Sequence, residues 1–150
     1  MDIISYKGID DLMFTDSLEI IKRKVSQYKG VKQIDKVVMD KVYPSIYVKD
    51  INLVIVFNED VKSVRYFEIE HDVYHQGVNL HSENLIKLKS FYRGLDPDIV
   101  IESDGFDSQK FGLSVTKLGS SKKNNVLVYS KDYLDEDEIS EDDIIKFYLG

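Results

Sequence analysis

The sequence predicts an α+β fold that combines a mainly antiparallel sheet with two helices. Two apolar stripes recur at helical spacing, and each is followed by several short runs of β-branched and aromatic residues. Polar turns separate these runs. Consecutive strands after one helix favour an antiparallel sheet, because parallel sheets alternate strand and helix. A chain of 150 residues is predicted to form one domain, 1–150.

The segment INLVIVFNEDVKSVRYFEIE predicts a β-hairpin at the centre of the sheet. Its first arm, Ile51 to Phe57, is almost wholly apolar, as is typical of a strand covered on both faces. Turn-forming residues then lead directly into the second arm, Val61 to Ile69. The apolar alternation slips between Tyr66 and Phe67, which predicts a bulge or two half-covered faces.

A first helix and a pair of strands are predicted before this hairpin. A short strand at Ile3 to Tyr6 comes first, and Asp16 has the position of a helix N-cap. Gly30 is placed to end the helix. The helix stripe consists of Leu18, Ile21, Val25 and Tyr28.

Two strands are predicted within Val31 to Val48, with a turn at Asp40-Lys41. Pro44 lacks a backbone N–H and therefore suggests an edge strand or the start of a strand.

The second half of the chain repeats this order. Val73 to Leu80 is strand-like, Ser82 is placed to cap a second helix, and Gly94 to end it. Asp104-Gly105 predicts a turn between strands. The second stripe consists of Leu85, Leu88, Tyr92 and Leu95, and the later strands are predicted at Ile99 to Ile101, Phe111 to Leu118 and Asn125 or Val126 to Tyr129.

The order helix, strand, strand, strand thus occurs twice, which divides the chain into candidate pseudo-repeats 1–72 and 73–134. Residue identity between the halves is slight, so true duplication and similarity of pattern alone both remain open. An acidic C-terminal segment, 135–150, follows. Within it, Ser140 to Leu149 is predicted to form a short helix capped by Ser140.

The net charge of −7 is concentrated at the C-terminus. Residues 131–150 hold eight acids and two bases, a balance of −6, whereas residues 1–130 have a balance of −1. Such a field repels nucleic acid and attracts basic partners. The alternative is a solvated tail that only aids solubility. Apolar residues among the acids favour an ordered surface, namely Tyr133, Leu134 and Ile139.

His71 and His75, beside Glu70 and Asp72, are the candidate acid–base or metal-binding residues. In a strand, residues four apart are separated by about 13 Å, which is too far for one metal ion. We therefore interpret these histidines as surface residues near a turn and predict no metal site and no cofactor.

Other function classes are disfavoured by composition. The chain has no cysteine, which excludes a thiolate site and is typical of the cytoplasm. We expect no signal peptide and no membrane association, since no apolar run approaches the length of a membrane span. Phosphate-binding and nucleophile motifs are not found, and Lys122-Lys123 in a polar loop gives little support to nucleic-acid binding.

The whole chain resembles small bacterial immunity proteins that neutralise polymorphic or contact-dependent growth-inhibition toxins. The similar features are a short, acidic chain without cysteine, the opening ISYKGIDDLMFTDSLEIIKRKV and the hairpin INLVIVFNEDVKSVRYFEIE. The helix-plus-sheet unit, used twice, also resembles the tandem repeat of β-lactamase-inhibitor protein. The resemblance implies stoichiometric binding to a cognate toxin, often a basic nuclease, without catalysis. It assigns no functional residue position by position.

The resulting hypothesis is a cytoplasmic, non-enzymatic protein that neutralises a toxin by covering its active site. Two alternatives remain open: a small hydrolase or nuclease that uses His71 or His75 with a nearby carboxylate, and an adaptor domain that binds by adding a strand to its sheet. The identity of the toxin and the oligomeric state are also open. The predicted toxin contacts are Asp135, Glu136, Asp137, Glu138, Glu141 and Asp142.

Overall fold

A computed structural model describes residues 1–120 and 122–135 of the chain. It confirms the predicted α+β class and the mainly antiparallel sheet. The helices are α1 (Leu18–Val25) and α2 (Leu85–Leu95), with a 3₁₀ turn at Lys49–Ile51. Residues 131–135 are also helical. None of the helices in the described part of the chain is long and apolar enough to cross a membrane.

Thirteen strands form three sheets in the described residues. The first three strands make a small sheet, the eighth and ninth make a two-stranded sheet, and the other eight make the main sheet. In chain order the strands are β1 (Ile3–Ile4), β2 (Gly8–Ile9), β3 (Leu12–Met13), β4 (Val31–Val38), β5 (Lys41–Val48), β6 (Leu53–Phe57), β7 (Val64–Ile69), β8 (Tyr74–His75), β9 (Val78–Asn79), β10 (Val100–Ile101), β11 (Gly105–Ser108), β12 (Leu113–Lys117) and β13 (Asn124–Tyr129).

The main sheet joins two four-stranded meanders at their last strands. Its order is β10-β11-β12-β13-β7-β6-β5-β4, and every neighbouring pair is antiparallel. Each helix is therefore followed by four strands of the main sheet, so the predicted order of one helix and three strands has one strand too few. The additional strand of the second half is β11. This strand begins at Gly105. A Cβ atom at this position would lie 2.2 Å from the carbonyl oxygen of Val115, so the close approach of the neighbouring strand requires glycine.

One face of the main sheet carries the larger core. Both helices pack on this face, α1 through Leu18, Ile21 and Val25 and α2 through Leu88 and Tyr92. The second face carries a smaller cluster of buried residues, formed by Tyr43, Val56, Tyr66 and Tyr129.

The central hairpin is where the sequence predicts it. β6 and β7 are neighbours within the sheet, and the side chains of β6 are buried on both faces except for partly exposed Val54. The predicted bulge exists but lies one residue earlier than the pattern indicates. Val56 pairs with Tyr66 while Phe57 pairs with Val64, so Arg65 is the extra residue.

Both predicted N-caps are wrong by one or two positions. Ser17 caps α1 by accepting from the N–H of Ile20, and Asn84 caps α2 by accepting from two N–H groups. Asp16 is instead buried and accepts hydrogen bonds from the N–H of Met13 and from Lys24. The helix therefore begins one residue later because Asp16 organises the preceding turn.

The predicted helix ends also differ from the structure. The first helix ends at Val25, before Tyr28 and Gly30, although Gly30 does have a left-handed φ of 68°. Gly94 lies inside α2, which continues to Leu95. The predicted helix from Ser140 to Leu149 lies outside the described residues.

Pro44 is neither at an edge nor at the start of a strand. It lies inside β5, which pairs with β4 on one side and β6 on the other. The pairing with β6 begins only at Ser45, so the missing N–H of Pro44 interrupts no residue pair with β6.

Candidate protein-interaction surfaces

The first predicted contact residue, Asp135, is exposed and ends the described helical segment 131–135. This segment is fixed to the second face of the sheet. The ring of Tyr133 lies 5.4 Å from that of Tyr66 and 5.1 Å from that of Tyr129, and Leu134 packs against the same cluster of buried residues. The other predicted contacts lie outside the described residues, namely Glu136, Asp137, Glu138, Glu141 and Asp142.

Arg65 ties this segment to the first half of the chain. Its guanidinium carbon lies 4.8 Å from the centre of the Tyr43 ring and 5.4 Å from that of Tyr133, within cation–π range. The side chain is only 8% exposed. The bulge places Arg65 here, so a local irregularity of β7 positions the start of the acidic segment.

The electrostatics of this cluster are set by burial. Burial, followed by the nearby charge of Glu68, raises the pKa of Tyr66 to about 12. Tyr66 therefore remains a neutral phenol at ordinary pH, and its ring serves as a packing surface for Tyr133.

The two candidate acid–base histidines do not converge. His75 is buried, and its Nδ1 and Nε2 atoms lie 2.6 Å and 3.2 Å from the hydroxyl oxygens of Tyr92 and Ser5. Burial lowers the pKa of His75, so the imidazole is neutral, donates to one hydroxyl and accepts from the other. The interpretation of His75 as a surface residue is therefore wrong, because it joins β8 to α2.

His71 remains near the surface, with Nδ1 3.2 Å from the carbonyl oxygen of Asp72. The carboxylate of Asp72 accepts from Asn79, and this hydrogen bond lowers its pKa. Within residues 1–120 and 122–135, no three His, Asp or Glu side chains are grouped as a metal site requires.

Sequence reasoning missed a second surface, formed by β4, β5 and the turn between them. We call this unit the edge hairpin, residues 31–48. Six of the twelve large apolar side chains that are exposed among the described residues belong to it. Such concentration marks an interaction surface more strongly than scattered exposed residues do. They are Val31, Ile34, Val37, Val38, Met39 and Val42.

The tip of the edge hairpin combines exposure with backbone strain. Met39 and Asp40 form its two-residue loop and both have positive φ, 52° and 67°, as a type I′ turn requires. Asn-Gly is the favoured pair in this turn. Met39 is not a residue that this turn favours, and because it is 66% exposed it does not contribute to the core either. Departures of this kind are expected at functional positions.

Hydrogen bonding leaves the outer side of β4 free within the main sheet. In a hairpin with a two-residue loop, the pair next to the loop, Val38 and Lys41, exchanges hydrogen bonds, and every second pair does so after it. The intervening residues direct their N–H and C=O groups away from β5. They are Val31, Gln33, Asp35 and Val37.

The edge hairpin lies in a basic part of the chain. Residues 22–49 hold eight bases and two acids, a balance of +6. Carboxylates from elsewhere pair with three of these bases: Asp16 with Lys24, Glu68 with Lys36 and Glu59 with Lys41. This region is therefore opposite in sign to the acidic C-terminal residues.

No protein-family model, curated protein or solved structure matches this chain.

Proposed function

We propose that this protein binds a toxin stoichiometrically and neutralises it by covering its active site, without catalysis of its own. The support from geometry is the placement of Asp135. It is the last residue of a helical segment that Tyr133 and Leu134 pack onto the sheet, so the acidic residues begin next to the folded core. The resemblance to immunity proteins supports the class of partner.

The charge of residues 131–150, −6, gives this surface a physical role in association. Clustered carboxylates attract a basic partner over about 10 Å at ordinary ionic strength and accelerate its encounter. A nuclease toxin is basic where it binds the phosphate backbone, so the acidic segment would occupy that surface in place of nucleic acid.

The first experiment identifies the partner. The product of the reading frame immediately upstream is expressed alone and together with this protein. We expect growth arrest that co-expression relieves, and a one-to-one complex by light scattering. An upstream product that is harmless, or that remains toxic and unbound on co-expression, would contradict the proposal.

The second experiment tests the acidic contacts. Six carboxylates are neutralised to Asn or Gln at Asp135, Glu136, Asp137, Glu138, Glu141 and Asp142, and association is followed by stopped flow. We expect the association rate with the toxin to fall by at least about tenfold at low salt. We also expect its salt dependence to flatten.

The control changes net charge equally at six exposed carboxylates elsewhere. A small effect in this variant would assign the loss to the acidic segment and not to net charge. Equal losses in both variants would remove the segment from the interface. The control positions are Asp11, Glu19, Asp50, Glu70, Asp98 and Asp104.

A further inference from the structure

We propose that the outer edge of β4, which no strand of the described residues covers, binds an extended strand of a second, different protein, with carboxylates of that strand opposite Lys32 and Lys36. This surface is separate in sequence from the acidic segment and opposite to it in charge. The protein would thus have a strand-addition site in addition to its toxin-binding surface.

The length and regularity of β4 make strand addition possible. All eight residues, Val31–Val38, pair with β5 without a register shift, and every side chain except the partly exposed Lys36 is exposed. Natural sheets protect their edges with short strands, bulges, proline or charges. β4 has three charged residues, Lys32, Asp35 and Lys36, but no proline and no bulge, and its outward N–H and C=O groups are repeated over four residues. A partner strand of about eight residues could pair along its whole length.

Pairing of β4 with a second copy of itself is unfavourable. Two copies of β4 that form one continuous antiparallel sheet are related by a two-fold axis perpendicular to that sheet. Residues directly opposite each other must point to the same face of the sheet. The axis must therefore lie where one residue faces the same residue of the other copy, and not midway between two successive residues. Only axes at Ile34 or Asp35 pair seven residues of this strand. The first places Lys32 opposite Lys36 twice, and the second places Asp35 opposite itself. Like charges directly opposite each other destabilise a sheet.

The same side chains define the chemistry of a suitable partner. Lys32, Ile34 and Lys36 lie on the second face of the sheet, so the matching residues of the partner are acidic, apolar and acidic. Lys36 already pairs with Glu68 at 3.2 Å, and a partner carboxylate would share it. On the opposite face Val31 and Val37 require apolar neighbours. Within the edge hairpin itself three lysines outnumber two aspartates, which also favours an acidic strand.

The probe is a synthetic peptide, Val-Ile-Glu-Thr-Ile-Thr-Glu-Val, which places glutamates opposite Lys36 and Lys32 in the antiparallel register. It is titrated to about 1 mM, the range of weak binding, into the isotopically labelled full chain and followed by NMR. We expect saturable shifts of the β4 amides. A control peptide with lysine at both glutamate positions should bind at least about threefold more weakly.

A backbone variant separates strand addition from adsorption of the peptide. The N–H of Gln33 points outward, so Gln33→Pro should remove a partner hydrogen bond and abolish the β4 shifts while β5 stays paired. Gln33→Thr, which retains the N–H, is the matched control and should bind normally. Loss of the β4–β5 amide pattern in the proline variant would show unfolding, in which case the two-peptide comparison on the unmodified protein decides.

Three results would overturn the proposal: no shifts of the β4 amides at the highest peptide concentration, equal binding of the two peptides, or shifts located away from β4. The six-carboxylate variant used above should bind the peptide as the unmodified protein does. Failure of toxin binding and failure of strand addition are therefore distinguishable.

Discussion

The two halves of the main sheet are alike near its centre and different at its edges. Moving outward from the centre, β7 and β6 have six and five residues, and so do β13 and β12. The outer strands then diverge. β5 and β4 have eight residues each, whereas β11 has four and β10 only two.

The difference in length between the outer strands of the two halves suggests different roles for these strands. A two-residue edge offers little backbone to another chain, so the second half protects its edge by being short. The first half extends its outer strands beyond the core and exposes apolar side chains on them. We infer that the inner strands supply stability, and that the outer strands of the first half have a binding role.

The largest expected effect contrasts one residue type at an inner and an outer strand. Ile55 in β6 is fully buried, and Ile55→Ala should lower the free energy of unfolding by about 2–5 kcal/mol because a cavity remains. Ile34 in β4 is exposed, and Ile34→Ala should cost under about 1 kcal/mol. Urea unfolding of both variants measures the difference. Similar losses would show that the edge hairpin is part of the cooperative core.

The second prediction concerns the second half of the chain, in which His75 joins β8 to α2. His75→Phe leaves the buried hydroxyl of Tyr92 without its hydrogen-bond partner and should cost about 1–3 kcal/mol. Because burial lowers the pKa of His75 below its ordinary value of 6.5, the unfolded chain binds more protons as the pH falls below that value. The stability of the unmodified protein should therefore decrease with falling pH below about 6.5.

Urea unfolding between pH 8 and pH 5 measures this effect. In His75→Phe the slope below the ordinary histidine pKa should decrease. His71→Gln, at a half-exposed site, is the comparison variant and should lose under about 0.5 kcal/mol. An unchanged pH dependence in His75→Phe would mean that His75 is not the group responsible.

The inner strands could be predicted from sequence because burial on both faces leaves a continuous apolar run. Ile51 to Phe57 is such a run, and it lies at the centre of the sheet. The apolar stripes of both helices could be predicted in the same way, because their residues recur at helical spacing. Ile21 of α1 and Leu88 of α2 are buried as these stripes predict. Each of these patterns lies within one short stretch of sequence, so it can be recognised without knowing which strands are neighbours in the sheet.

The two strands of the edge hairpin were predicted, but the exposure of their apolar side chains was not, because part of the hairpin is as apolar as a buried strand. Val37-Val38-Met39 is as apolar as the central strand, and only the strand order shows that no described strand pairs beyond β4. The predicted turn at Asp40-Lys41 is also wrong by one residue, because Lys41 pairs with Val38 and the loop consists of Met39 and Asp40, residues that this turn type does not favour. Of the predicted acidic contacts, the structure places Asp135 alone, so that prediction stays a prediction.

The third prediction tests the strained tip of the edge hairpin. Replacing Met39-Asp40 by Asn-Gly suits the type I′ turn and removes an exposed apolar side chain, so the protein should gain about 1 kcal/mol. Thermal unfolding measures the gain. Asp98→Asn, at an exposed position without positive φ, is the control and should change little. A loss of stability would show that Met39 packs in the folded protein and that the tip is not a binding feature.

The smallest expected effect concerns the ion pair that crosses the second face from β4. Lys36 and Glu68 are 3.2 Å apart, with 38% and 28% of their side chains exposed. Solvent screening reduces such a pair to roughly 0.2–1 kcal/mol. A double-mutant cycle of Lys36→Met and Glu68→Gln measures the coupling, which should shrink in high salt. A coupling well above this range would mean that the pair holds β4 to the inner strands, and that Lys36 is not free to exchange Glu68 for a carboxylate of an added strand.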